Sequence, residues 1–244
     1  MIDILATYGP LFLFGPYPNG PLGGLALTLV LSVLGVGFAF PLSIVLALFR
    51  ISPYAVLNWP ATMLVYLVRG VPLMLLVFWS YFLVPAFIGR PVSAFTTLVV
   101  TLVVYQATYM SEIVRAGIEA LPKGQLEAAR SLGLSYRQAM RTVILPQSLF
   151  NMLPALLSQF ISTVKETSIG YVISVQELTF TASQVNASLL TSPFEVYLIL
   201  SFIYFVVCYA LTQAAQRFER GVMRRRTTLS TKATYGTHDP VQQG

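Results

Sequence analysis

Five polar residues sit in or beside long apolar runs: Arg69, Gln106, Lys165, Glu166 and Ser168. A charge at the centre of a lipid bilayer costs about 2.5 to 3.5 kcal/mol on insertion scales, so Arg69, Lys165 and Glu166 each need a task or a partner. The Arg69 guanidinium could hold a carboxylate bidentately. Pro72, three residues on, cannot donate to the Val68 carbonyl and leaves the broken-helix geometry that transporters use around solutes. Equally, Arg69 could reach the nearer membrane surface or stabilise the kink. Lys165 and Glu166 are neighbours and point in different directions on a helix, so one can meet a solute while the other pairs with structure. Both could instead mark the outer end of a span. Gln106 lies in an apolar run and reads first as a hydrogen bond between helices. Ser158, Ser162 and Lys165 share one helical face as polar glue.

A second constellation is Glu127-Ala128-Ala129 with Gly133, followed by Val143-Ile144-Leu145-Pro146. Pro122 stops a preceding helix, residues 123–132 are good helix formers, and Gly133 stands at a C-terminal stop. Ser135 and Gln138 then fit a capping box that starts another helix. The pattern predicts a helix, a sharp glycine turn and a helix that enters the bilayer near Pro146. Ala128 and Ala129 would let a partner approach closely, and Glu127 offers a charge-assisted acceptor to its donors.

Several kinds of chemistry are excluded. No G-x-x-x-x-G-K-[ST] loop occurs, so the chain has no phosphate cradle of that type. Its one Cys, Cys208, falls in an apolar run, and its one His, His238, falls near the C-terminus. Neither a metal cluster nor a Ser/Cys-His nucleophilic pair can be assembled from these. An enzyme acting on lipid headgroups would need clustered Asp or His, which the chain lacks.

The elements that must position these residues are membrane spans. Of 244 residues, 56% are hydrophobic and 10% charged, against roughly 25% charged in an ordinary soluble domain. Mean hydropathy is +0.73. Apolar runs cover residues 24–49, 51–89, 91–111, 142–164 and 196–216, each long enough for the roughly 20 residues of a helical span. Ahead of them, Gly9-Pro10, Gly15-Pro16 and residues 18–24 should break any helix before about Leu25. The segment 51–89 would be about 58 Å long as one helix, too long for a roughly 30 Å core. It is read as an interfacial stretch with Pro53 and Pro60, then one crossing broken near Gly70 and Pro72.

Most basic residues fall in three places: Arg50; Arg115, Lys123, Arg130, Arg137 and Arg141; and Arg217, Arg220, Arg224, Arg225 and Arg226. The positive-inside rule puts all three on the cytoplasmic side, which requires five spans, the N-terminus outside and the C-terminus inside. The net charge of +6 is then an orientation signal and no nucleic-acid footprint. Residues 165–191 are too polar to cross and should form an outer-face or re-entrant connection. The chain divides into an outer N-terminal segment 1–23, a transmembrane domain 24–220 with the loop 120–142, and a cytoplasmic tail, read as disordered from Met223.

Arg69-Gly70-Val71-Pro72-Leu73, Ser111 to Ile118, Lys123 to Arg130, Ile144-Leu145-Pro146-Gln147 and Lys165-Glu166-Thr167-Ser168 occur in that order. Over about residues 24–219 the chain resembles bacterial ABC importer permeases for polar amino acids, of the histidine, glutamine and glutamate type. The resemblance implies an all-α, five-helix inner-membrane permease that pairs with a second permease chain, identical or paralogous. It also implies two cytoplasmic ATPase subunits on the Glu127 loop, with Mg-ATP held there and no cofactor in this chain, and a solute-binding protein on the outer face. Residues 76–85 and 180–183 look more like glutamate/aspartate permeases than arginine or histidine ones, and Arg69 and Lys165 would suit an acidic solute. Glutamine, histidine and arginine are the alternatives. A passive channel is the remaining rival.

Overall fold

The structure, a computed structural model, describes residues 2–235, and side chains as far as residue 221. It is helical: α1 (Ile2–Phe14), α2 (Gly24–Arg50), α3 (Ala55–Arg69), α4 (Leu73–Ile88), α5 (Ala94–Glu119), α6 (Lys123–Ser131), α7 (Tyr136–Ala139), α8 (Leu145–Glu166), α9 (Leu178–Leu189) and α10 (Pro193–Tyr235). A π-turn, Met140–Ile144, joins α7 to α8, and a 3-10 turn, Thr167–Ile173, follows α8. Among the described residues, four helical stretches are long and apolar enough to cross a membrane: Gly24–Arg50, Ala94–Glu119, Tyr136–Ile173 and Pro193–Gly221. The pair α3–α4, bent by 103°, is the fifth when taken as one broken span.

That bend falls where the sequence places it. Pro72 caps α4 in an extended conformation and offers no N–H, and the residue before a proline is pushed away from helical angles. The stretch ahead of it differs from expectation in being one continuous helix, α3, with Pro60 inside it.

Two further expectations fail. A helix does form before Leu25: α1 runs through Gly9-Pro10 and ends only at Gly15. Pro10 loses one bond, to the Ala6 carbonyl, but Phe12 is 1% exposed and packs with Leu178, Val185, Val196 and Ile199 of α9 and α10. Burial of that side chain, worth about 1.5 to 3 kcal/mol, offsets the missing bond. At the other end, α10 continues to Tyr235, past the point where a disordered tail was expected. Between Gly221 and Gly236 no glycine or proline interrupts it. Residues 236–244 lie outside the described residues.

The centre of the bundle is the α2–α5 pair. Leu27, Leu31, Leu98 and Leu102 pack with Leu73 and Val77 of α4 in one apolar cluster. Ala39 and Leu46 of α2 meet Ala107 and Met110 of α5 and Ala61 of α3 in another. Residues 165–173 complete the Tyr136–Ile173 stretch, and beyond it the chain turns at Ser174, forms α9, and closes on the start of α2, where the Gly24 N–H donates to the Gln176 carbonyl at 2.9 Å.

Glu177 caps α9 there. Its carboxylate accepts from the Thr179 and Phe180 N–H groups at 2.7 and 2.8 Å, while the side chain is fully buried. Burial pushes this carboxyl up to about 7, against the opposing pull of those N–H donors and the Tyr204 hydroxyl. A carboxyl raised on folding adds stability that is complete below its unfolded value of about 4.3 and is lost as pH rises through 7. The purified protein is therefore expected to melt higher near pH 5 than near pH 8, and Glu177→Gln to flatten that difference. An unchanged slope in the variant would assign the pH dependence to other groups.

Candidate coupling loop and transport path

The loop between α5 and α8 is built by local backbone chemistry. α6 ends in a Schellman turn: the Leu134 N–H reaches the Ala129 carbonyl at 3.3 Å, and the Gly133 N–H reaches the Arg130 carbonyl at 3.0 Å. Gly133 has φ +86, and an added Cβ would meet nothing within 4 Å, so glycine is there for its backbone angle alone. Ser135 and Gln138 form the expected capping box of α7. Gln147 at the start of α8 donates to the Gln125 side chain at 3.0 Å and ties α6 to the span. The loop is thus braced at both ends, which a passive connector does not need.

Glu127 and Ala128 lie on the open face of α6. The Glu127 carboxylate bonds no side chain among the described residues; only its backbone carbonyl accepts, from the Ser131 hydroxyl. Ala129 differs from expectation. It is 5% exposed and turned toward its own chain, where α6 packs on α7 and the π-turn, so it seats the loop and is not open to a partner. Helical rotation of about 100° per residue puts adjacent alanines on different faces. In its place the structure exposes Leu132, at 84%, an apolar side chain overlooked in the sequence. A large apolar residue beside the stop glycine of a polar loop was the available signal.

The remaining candidates do not form one site. Arg69, the last residue of α3, lies with its guanidinium 4.9 Å from the Tyr109 ring centre and 3.8 Å from the Glu112 carboxylate. Glu112 also bonds Arg50 and Arg115, and Arg115 pairs again with Glu119 at 2.6 Å. Three cations from α2, α3 and α5 therefore converge on one carboxylate beside a small cavity of about 270 Å³. Arg69 is a member of this cluster and not a lone cation in a pore. Arg50 and Arg115 meet at one end of the bundle, the relation that the charge pattern requires of them.

Deeper along α5, Gln106 is fully buried and donates to the Glu166 carboxylate, while Gln159 of α8 donates to the Gln106 carbonyl oxygen at 2.7 Å. Gln106 is indeed an interhelical bond, and it unites two of the five candidates. Gln159 was missed; its place four residues before Thr163 in an otherwise apolar stretch was the only hint. The Tyr105 hydroxyl donates to that of Tyr109 at 3.1 Å, and Tyr109 in turn carries Arg69, so polar groups continue along α5 toward the ionic cluster. Lys165 is exposed, and Ser168 is half-buried in the 3-10 turn; neither bonds into the Gln106 group.

Comparison with known proteins agrees with this architecture. Residues 39–224 match the family model described as binding-protein-dependent transport system inner membrane component. The chain is 34% identical over 198 residues to a probable glutamine ABC transporter permease protein of Bacillus subtilis, covering 80% of this chain and 90% of that one. It is 37% identical to the arginine transport system permease protein of the same organism, covering 82% and 90%. It is 36% identical to the glutamate transport system permease protein of Corynebacterium glutamicum, covering 82% and 73%. A crystal structure of an amino acid ABC transporter with histidines superposes with a TM-score of 0.77 at 36% identity, covering 88% of this chain and 96% of that one. The chain belongs to the family of inner membrane components of binding-protein-dependent transport systems, as an ABC transporter permease.

Proposed function

We propose that this permease forms half of the translocation path of an ATP-driven importer of polar amino acids, and that its α6–α7 loop docks a cytoplasmic ATPase. The observation that carries the proposal is the loop itself: a helix held by a Schellman turn and a capping box, with Glu127, Ala128 and Leu132 presented outward. A rigid elbow of this kind can pass displacement from a soluble subunit into α8. The complete importer has two ATPase subunits, which bind the Mg-ATP, a second permease chain, identical or paralogous, and a solute-binding protein on the outer face. The N-terminus is outside and the C-terminus cytoplasmic, supported by the convergence of Arg50, Arg69 and Arg115 at the end from which the loop departs.

Gln159 and Glu166 are the side chains assigned to the solute path, with the buried Gln106 holding the two together. They offer amide donors, amide acceptors and a carboxylate, the set that an α-amino acid with its ammonium and carboxylate groups can exchange for its water shell. Glu166→Gln is expected to lower uptake roughly tenfold to a hundredfold, the equivalent of one charged hydrogen bond, with ATPase association unchanged. Unaltered uptake would take Glu166 off the path.

Glutamate or aspartate is the finer proposal for the solute, supported by the exposed ammonium of Lys165. Arg69 no longer counts toward it, since Glu112 and Tyr109 share its charge. Uptake of radiolabelled glutamate, glutamine and arginine in cells lacking the chain tests it: glutamate uptake should fall, and loss of arginine uptake alone would exclude an acidic solute.

A further inference from the structure

A groove of about 1420 Å³ separates the flank of the coupling loop from the turn between α2 and α3, and none of Glu127, Leu132, Gln106 and Glu166 lines it. Its apolar lining comes from Leu48 and Leu57 on the α2–α3 side and from Met140 and Leu145 at the entry to α8. Its basic lining is Arg130, Arg137 and Arg141, all from the loop side. Among the described residues no Asp or Glu lines the groove, and none of these three guanidiniums enters an ion pair or a side-chain hydrogen bond. Three cations that line one groove with no acidic side chain among them make it a place for an anion. The apolar lining calls for hydrocarbon.

The level of the groove supplies the second constraint. Tyr54 in the α2–α3 turn is 71% exposed and Trp59 in the first turns of α3 is 68% exposed, and both lie close in sequence to the Arg50 end of α2. Exposed aromatic rings beside a span end with basic residues sit at headgroup depth. A basic pocket between helices at the cytoplasmic surface is the setting in which anionic headgroups bind. Glu127, Ala128 and Leu132, the residues presented to the ATPase, do not line the groove.

We infer that this groove is a binding site for an anionic phospholipid of the inner leaflet, with its phosphate between Arg137 and Arg141 and its acyl chains along Leu48 and Leu57. A lipid seated there braces the loop against the α2–α3 turn, so the anionic content of the membrane tunes how firmly ATPase movement reaches the spans. The inference rests on the cytoplasmic placement of the loop.

The test uses the complete importer with its ATPase subunits, reconstituted in phosphatidylcholine alone or mixed with phosphatidylglycerol, with retained lipid counted by native mass spectrometry. Wild type should retain phosphatidylglycerol selectively, and the double variant Arg137→Gln/Arg141→Gln should retain it about 30-fold more weakly. That factor follows from about 1 kcal/mol for each basic residue near an anionic surface. The Lys pair at the same positions should restore retention, which separates lost charge from lost folding. Equal retention of both lipids by wild type, or no loss in the Gln pair, overturns the inference. If the Gln pair instead sheds the ATPase while keeping its lipid, the arginines serve the protein partner and the inference also fails. A wild-type complex that never holds an ATPase at this loop would instead contradict the functional proposal on which the inference rests.

Discussion

A Glu127→Arg permease is expected to reach the membrane folded, to lose its ATPase on purification, and to abolish uptake. The side chain is exposed, and its carboxylate has no bonding partner among the described residues, so reversing it removes nothing that holds the chain together. Surface substitutions of that kind usually shift stability by no more than about 0.5 kcal/mol. At a protein interface the same change does more. A charge-assisted bond worth about 1.5 to 3 kcal/mol is lost and a repulsion is added, enough for a loss of affinity of roughly 100-fold or more. The measurement is paired: thermal melting of the purified permease, and co-purification of the ATPase from native membranes. A variant that melts normally and keeps both ATPase and transport would mean that the loop is only a connector. A variant that still conducts solute without the ATPase would favour a channel.

The largest loss of stability is expected from Glu112→Gln, about 3 kcal/mol, since removing one partner of a buried ion pair strands the other charge. Arg50 is the charge stranded. Its side chain is 7% exposed, and Glu112, 28% exposed, supplies its carboxylate contact. Arg115 keeps Glu119 and the more exposed Arg69 keeps the Tyr109 ring at 4.9 Å, whereas the buried Arg50 is left with the more distant Tyr66 ring at 6.0 Å, so the damage is concentrated on Arg50. The double variant Arg50→Gln/Glu112→Gln should recover part of the loss, because no deeply buried cation is then left unpaired. Melting of the four proteins in one detergent gives the cycle. Additive losses would show that Arg50 finds another acceptor and that the pair is not coupled.

The two predictions draw on different kinds of information. Glu127 was legible in the sequence because a helix-forming charged island between apolar runs can be recognised along the chain. So could the stop at Gly133, the Ser135 and Gln138 capping box, the α2 span to within a residue, and the break at Pro72. Each depends on the backbone chemistry or hydropathy of consecutive residues, and neighbours in space do not alter it. Arg69 was legible as a residue in need of a partner, but not the partner.

Glu112 lies 62 residues from Arg50, Glu166 lies 60 from Gln106, and Gln159 lies 53 from Gln106. No spacing rule connects residues so far apart; the rotation and approach of packed helices decide such pairs. Packing also made a helix of residues 2–14 despite Gly9-Pro10, turned Ala129 inward, and buried Glu177 at the head of α9. By itself the sequence determined that the chain crosses a membrane, that one span breaks at Pro72, and that one polar loop stands apart. Only the tertiary structure decided which faces meet, and hence which charges are paired, because that depends on how side chains from distant segments fill shared space.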